Sequence, residues 1–213
     1  MIALDEPDTL LRMVKIYSFY NAQMKAQLFQ PWVRAQVSED WQDARAALSR
    51  LQTDVHNLDS LTQMLYIDTR ANLPDDLLMV SDKTSMANSV ESRVPYLDYR
   101  LVEFIETLPS HLKLRGFHGK YLHKKALQKW LPKRIIQQKK KGFANPVHRW
   151  LLDSMKHYVN DCLLSEKAAV RRYFDQRYIK QLVDDHEAGR QNYLRHIYLL
   201  ISFELWHQKF IPA

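Results

Sequence analysis

Glycine is nearly absent from this chain: Gly116, Gly119, Gly142 and Gly189 are the only four in 213 residues. No two come closer than Gly116 and Gly119, which excludes a glycine-rich phosphate cradle. The scarcity also disfavours a sheet-rich fold, which needs glycine in many tight turns, and favours helices. Cysteine occurs once, as Cys162, so an internal disulfide is excluded and a reducing, cytoplasmic setting is expected. No signal-peptide pattern is visible, and no apolar run approaches membrane-spanning length. Metal-ligand spacing is missing too. His118 and His123 lack cysteine or acidic company, so both read as surface or turn residues, and no metal site is expected. No GxSxG elbow occurs, and Cys162 falls in an amphipathic pattern that suits a small buried thiol.

Acidic residues are missing from one long stretch. Between Thr107 and Leu152 there are twelve Lys or Arg and no Asp or Glu, so the rest of the chain is net acidic although the whole carries +7. Such a run is either a solvated surface or a face for an anion, whether nucleotide phosphates or nucleic acid. Hydrophobic residues make up 46% and aromatics 11%, which places the chain among globular proteins with a sizeable core.

The apolar spacing predicts helices throughout. Pro7 opens a pattern carrying Leu10, Val14, Tyr17, Met24 and Leu28, which Pro31 stops. Ser38 is a cap candidate for a second helix with Trp41, Ala44, Leu48 and Leu51 on one side. Asp59 is the cap candidate for a third, with Leu61, Met64 and Leu65 inward. Asp98 suits the start of a helix whose Leu101, Phe104, Ile105 and Leu108 share a face. Gly116 and Gly119 predict a turn, then a helix over Lys120 to Leu131 with Leu122, Ala126 and Trp130 inward. Lys139, Lys140, Lys141 and Gly142 fall in a loop. Further helices fit Val147 to Leu164, Asp175 to Ala188 and Asn192 to Phe210, the last with Leu194, Ile197, Tyr198, Ile201 and Leu205 as its apolar stripe. Without repeats or low-complexity linkers, the expectation is one helical unit.

At the centre lies LPDDLLMVSDKTSMANSVESRVPYLD, Leu73 to Asp98. Pro74 with Asp75 and Asp76 suits a helix start, since the fixed φ fits the first turn and the acids face the positive end of the dipole. Small residues from Ser85 to Ser89 allow close approach of a backbone or ligand. Pro95 favours an extended segment before it, where Glu91 and Arg93, two apart, share one face. That pair is either a site or a buried ion pair pinning a loop.

SMANSVESRVPYLD resembles the SMAxSLExRxPFLD signature of the synthetase domain of glutamine-hydrolysing asparagine synthetases. LPDDLL upstream, and LVEF, LPSHLKLRG, GK, KKGF and FELW downstream, match the same family in the same order. The resemblance is clear from about Asp59 to Phe210 and vague before, dividing the chain into a helical lead-in over 1–58 and a synthetase-like region over 59–213. Val80 stands where the family usually has lysine, and Lys83 where it usually has arginine.

The resemblance implies a mainly α chain: the helical C-terminal portion of an α/β, adenine-nucleotide α-hydrolase-like (ATP pyrophosphatase) domain, with most of the sheet absent. It implies ATP-dependent amidation, in which aspartate attacks the α-phosphorus, pyrophosphate leaves, and ammonia attacks the β-aspartyl-adenylate. By its K-x-G-F position the family's catalytic lysine falls on Lys140. The signature acid falls on Glu91, which relatives such as β-lactam synthetase use to orient a catalytic side chain. Arg93, Lys120, Lys139 and Lys141 become candidates for the phosphate side; Asp82, Ser85, Met86, Asp98 and Gly142 belong to the structural signature. The family's SGGxDSS and SGEGxDE nucleotide segments and its glutaminase domain are not in these residues. ATP and Mg would therefore require a nucleotide-binding and glutaminase half, or a complete synthetase subunit, as partner. Small-molecule substrates are expected, and no membrane. The alternative is a stand-alone basic helical module that binds nucleic acid or another anion. Tyr121, Trp130, Phe143 and Trp150 are interleaved with its cations, but at core-like spacing.

Overall fold

A computed structural model describes residues 6–37, 42–139, 150–151 and 154–211. Among these the chain is helical apart from one short hairpin and an isolated bridge, in agreement with the mainly α expectation. The helices are α1 Thr9–Tyr17, α2 Ala22–Leu28, α3 Pro31–Arg34, α4 Gln42–Val55, α5 Ser60–Arg70, α6 Met79–Met86, α7 Tyr99–Thr107, α8 Ser110–Lys113, α9 Tyr121–Leu127, α10 Lys133–Ile136, α11 Lys156–Leu163, α12 Val170–Tyr173, α13 Gln176–Glu187 and α14 Leu194–Phe210. β1 Leu114–Arg115 pairs antiparallel with β2 His118–Gly119. The contacts gather into two compact units. The first comprises Met1–Met13 and Ala44–Lys140, the second Val14–Asp43 and Lys141–Ala213.

The first unit closes on a small core of Leu10, Met13 and Ile67, flanked by Leu48, Leu51, Met64 and Tyr66. Leu65, expected inward, is exposed; the register of α5 turns Ile67 to the core instead. Asp59 caps α5 as expected, accepting from the backbone of Leu61 at 3.1 Å and Thr62 at 3.2 Å. It also accepts from the Ser110 hydroxyl at 2.7 Å, which ties α8 to the start of α5. Arg70 holds Glu106 with two hydrogen bonds of 2.6 and 3.0 Å, linking α5 to α7.

The cap is a pH-dependent contact. Hydrogen bonds from Ser110 and Thr62, the Ser110 bond first, hold the Asp59 carboxyl down at about 2. A depressed pKa favours the folded state above the ordinary carboxylate range, and that stabilisation is lost as pH falls through about 2. Asp59→Ala is expected to cost about 1 kcal/mol at pH 7, the usual loss for a cap. The difference from the parent should shrink as the pH is lowered from 4 towards 2, read as denaturant midpoints. A pH-independent difference would refute the linkage.

Pro74 sits at the start of a helical segment with Asp75 and Asp76 in its first turn, as expected, and that segment, Leu73–Leu78, is a π-helix that leads into α6. Two local expectations are corrected in this unit. The helix after the hairpin ends at Leu127, whose carbonyl accepts from both Trp130 and Leu131, so Trp130 is 74% exposed rather than inward, and Ala126 is exposed as well. Phe104 and Ile105, expected to be core residues of α7, lie exposed.

The second unit has the larger core, in which α11, α12, α13 and α14 pack Val159, Leu163, Val170, Ile179, Leu182, Val183, Ile197 and Leu200 together with Leu28. The single helix expected from Pro7 to Pro31 is broken. Asn21 caps α2 by accepting from Met24, and Pro31 opens α3 instead of ending a helix. The Phe29–Phe174 bridge docks this segment, with Gln30 donating to the Tyr173 carbonyl at 2.9 Å and Asp175 to that of Leu28 at 2.7 Å. Asp175 caps α13 through the Tyr178 amide. On α14 the buried face is Ile197, Leu200, Ile201, Glu204 and His207; Tyr198 and Leu205, expected in the stripe, are exposed because they lie one helical step off it. Ser38 and Trp41, and most of the loop and helix expected over 139–164 before Ser154, lie outside the described residues.

Candidate functional site

The central stretch is a helix end, an extended strip and a helix start. α6 stops because its last carbonyls are taken by a tight turn: Ser85 accepts from Asn88 at 2.9 Å and from Val90 at 3.1 Å, and Met86 accepts from Ser89. Ser89 sits at φ +56°, a left-handed conformation that a small residue with a hydroxyl tolerates better than a branched one. Asn88 steadies the turn by donating to the Thr84 carbonyl, and the Ser85 hydroxyl donates to that of Asp82. The small residues therefore serve the turn itself, and Met86 stands exposed beside it.

The strip that follows brings one expected pair together. Arg93 Nη2 donates to Glu91 Oε2 at 2.8 Å, as residues two apart in extended backbone allow. The pair is not buried: the side chains are 81% and 64% exposed, and Val90 and Val94 beside them are exposed as well. A solvated pair of this kind contributes little to stability, so a loop-pinning role does not account for it. Pro95–Leu97 then make one 3-10 turn. Asp98 caps α7, accepting from the Arg100 amide at 3.0 Å, and the Arg100 side chain grips the same carboxylate. That arginine is the first cause holding the Asp98 carboxyl below its ordinary range.

Tyr96 was not singled out from the sequence, yet it connects this strip to the basic region. Its ring meets the ring of His123 edge-on, with 5.5 Å between centroids, so the 3-10 turn lies against α9. No spacing rule links residues so far apart in the chain; an aromatic just after the signature proline was the only cue. Lys120 immediately precedes α9 at φ +56° and is exposed, as is Lys139. Neither makes a side-chain hydrogen bond or ion pair with described residues. Lys140, Lys141 and Gly142 lie outside the described residues.

Among the described residues, no group of three His, Cys, Asp or Glu could hold a metal ion. His118 and His123 are exposed, and Cys162 is buried in α11, where burial first and the charge of Glu204 second raise its thiol pKa. No described helix is long and apolar enough to cross a membrane.

Within FELW the structure picks out Glu204. It is fully buried and accepts from the backbone of Ala169 at 3.0 Å and Val170 at 2.7 Å, while Gln208 donates to it at 2.8 Å. A glutamate in an apolar stretch was visible in the sequence, but its partners lie 34 and 35 residues away.

The family model described as asparagine synthase matches residues 7–208. The chain is similar to asparagine synthetase [glutamine-hydrolyzing] 1 of Bacillus subtilis (strain 168), at 31% identity over 73% of this chain and 24% of that protein. It is similar to a putative asparagine synthetase [glutamine-hydrolyzing] of Mycobacterium tuberculosis (strain ATCC 25618 / H37Rv), at 29% identity over 72% and 23%. The Gallus gallus asparagine synthetase [glutamine-hydrolyzing] is 30% identical over 56% and 24%. The chain spans about a quarter of the length of these relatives. No solved structure matches it.

Proposed function

We propose a synthetase role for this chain, which belongs to the asparagine synthase family. In this reading it is the helical C-terminal portion of an ATP-dependent ligase that amidates aspartate with nitrogen from glutamine or ammonia. The observation that carries it is the signature strip: Glu91 and Arg93 stand paired in solvent, and Tyr96 just after them packs on His123 of α9, within a stretch of twelve cations and no acid. Such a surface is one wall of a site for anions, open to whatever completes it.

ATP, when bound, supplies the leaving group that makes the acceptor carboxylate electrophilic. The residues here fit its anionic end, since the run from Thr107 to Leu152 offers only cations. Mg, which is held by substrate phosphates and one or two carboxylates, would come with the nucleotide-binding half. Lys140 presents an ammonium to oxygens on which charge grows, and Lys120, Lys139 and Lys141 add to the local field. Glu91, held by Arg93, orients a neighbouring polar group. Purine recognition and nitrogen delivery come from a nucleotide-binding and glutaminase half, whether joined to this stretch or separate.

The 213 residues on their own are expected neither to bind ATP with micromolar affinity nor to form asparagine from aspartate, ATP and ammonia. Calorimetry and product detection check this, and micromolar ATP binding that persists in Lys124→Ala would overturn the division of labour. The exposed Phe104, Ile105, Leu77, Val80 and Trp130 give the first unit apolar surface that a nucleotide-binding half would cover. Co-expression with such a half from a relative is accordingly expected to raise the soluble yield. An unchanged yield and elution volume would refute the pairing.

A further inference from the structure

The twelve cations are not spread evenly over a convex surface. The hairpin, α9 and α10 form a concave surface of about 530 Å³ lined by Arg115, His118, Tyr121, Lys124, Lys125 and Ile136, with Gln128 and Gln137 completing it. That size is within the range of small-molecule sites. The charged lining groups Arg115, Lys124 and Lys125 are all cationic, and no carboxylate is among the lining residues. Lys124 and Lys125 make no ion pair among the described residues, whereas arginines elsewhere in the same unit do, Arg70 with Glu106 and Arg45 with Asp8. One cation is held in position: Arg115 Nη1 donates to the Tyr121 hydroxyl at 2.7 Å, with its guanidinium carbon 5.2 Å from the Tyr121 ring centroid. Gly116 makes this possible by taking φ +56° at the hairpin turn, which returns His118 beside Arg115 across the two-strand ladder.

We propose that this concavity binds a small polyphosphate. Three cations lining one hollow repel one another, and the anion best suited to relieve this is one that can meet all three. A chain of linked phosphates can. Arg115 supplies a forked donor already steered by Tyr121, the lysines supply mobile point charges, and the two glutamine amides donate to the remaining oxygens. Ile136 and the Tyr121 ring form an apolar side that excludes water from one flank. The site draws on no residue of the signature strip and does not depend on Lys140.

The test titrates inorganic tripolyphosphate into the 213-residue chain at low salt, by calorimetry, with sulfate as the single-centre control. One tripolyphosphate per chain is expected, at least about tenfold tighter than sulfate, weakening as salt is added. Lys124→Ala and Arg115→Ala are each expected to weaken it about tenfold, as loss of a charge-assisted partner does. Tyr121→Phe, which keeps the ring and removes the acceptor that steers Arg115, should weaken it about threefold. Lys129→Ala, outside the lining, should leave it unchanged, and all variants are exposed or partly exposed substitutions whose melting curves can be matched to the parent. Equal weakening by Lys129→Ala and Lys124→Ala, or no saturable binding, overturns the proposal. So does a short single-stranded oligonucleotide that binds far tighter than tripolyphosphate with a steep salt dependence, which would make the surface a nucleic-acid face. Because neither aspartate nor ATP is present, failure here leaves the synthetase role standing, and failure of synthesis leaves this site standing.

Discussion

Lys140→Ala, in a complex completed by a matching nucleotide-binding and glutaminase half, is expected to abolish asparagine synthesis with either ammonia or glutamine while sparing glutamine hydrolysis. An ammonium aimed at oxygens that gain charge acts only in the synthetic step, and losing such a group typically costs about 3–4 kcal/mol of transition-state stabilisation. That corresponds to a loss of about a hundredfold to a thousandfold in rate. Lys139→Ala and Lys141→Ala are expected to cost far less. Lys139 is exposed in the structure, and exposed charges act through a screened field. Lys140→Arg should fail nearly as badly as alanine, because a planar fork places its donors differently from a compact ammonium. Pyrophosphate release by all four variants at one ionic strength decides it. Equal, mild losses at all three lysines would mean a general basic surface and would refute a catalytic Lys140.

Glu204→Ala is expected to be the most damaging single substitution for folding of the second unit. The carboxylate is fully buried and accepts from the amides of Ala169 and Val170, which otherwise have no helical partner at the start of α12. Removing it leaves two amides and the Gln208 side chain without their acceptor beneath α14. Each stranded buried donor costs about 1–3 kcal/mol, so a loss of about 3 kcal/mol overall is expected, read as the denaturant midpoint of the 213-residue chain. Glu204→Gln keeps one acceptor oxygen in place and should cost about half as much. The Cys162 thiol supplies a second readout. Its pKa is raised by burial and by the Glu204 charge, so neutralising Glu204 should lower it while burial still keeps it above the ordinary thiol value. A Glu204→Ala protein as stable as the parent would show that water replaces the carboxylate at the α12 start.

The sequence by itself determined the mainly α character, two helix caps and the pairing of Glu91 with Arg93, because each rests on neighbours within a few residues. Asp59 and Asp98 cap the helices they precede, since a carboxylate two or three residues ahead of free amides needs nothing else from the fold. The ordered motifs likewise carried the family, in which the chain matches over residues 7–208. Helical spacing, by contrast, fixes that side chains share a face and leaves open which face is covered. Leu101, Phe104, Ile105 and Leu108 have faultless periodicity, yet the packing leaves Phe104 and Ile105 exposed. On α14 it buries Glu204 and His207 in place of Tyr198 and Leu205. Burial is a property of what lies opposite, and that comes from chain many residues away. The same holds for the chemistry: only the tertiary structure turned a run of cations into a hollow between α9, α10 and the hairpin, and set Tyr96 against His123. Charge of one sign along a sequence says that an anion is welcome, and the convergence of Arg115, Lys124 and Lys125 on one volume decides where.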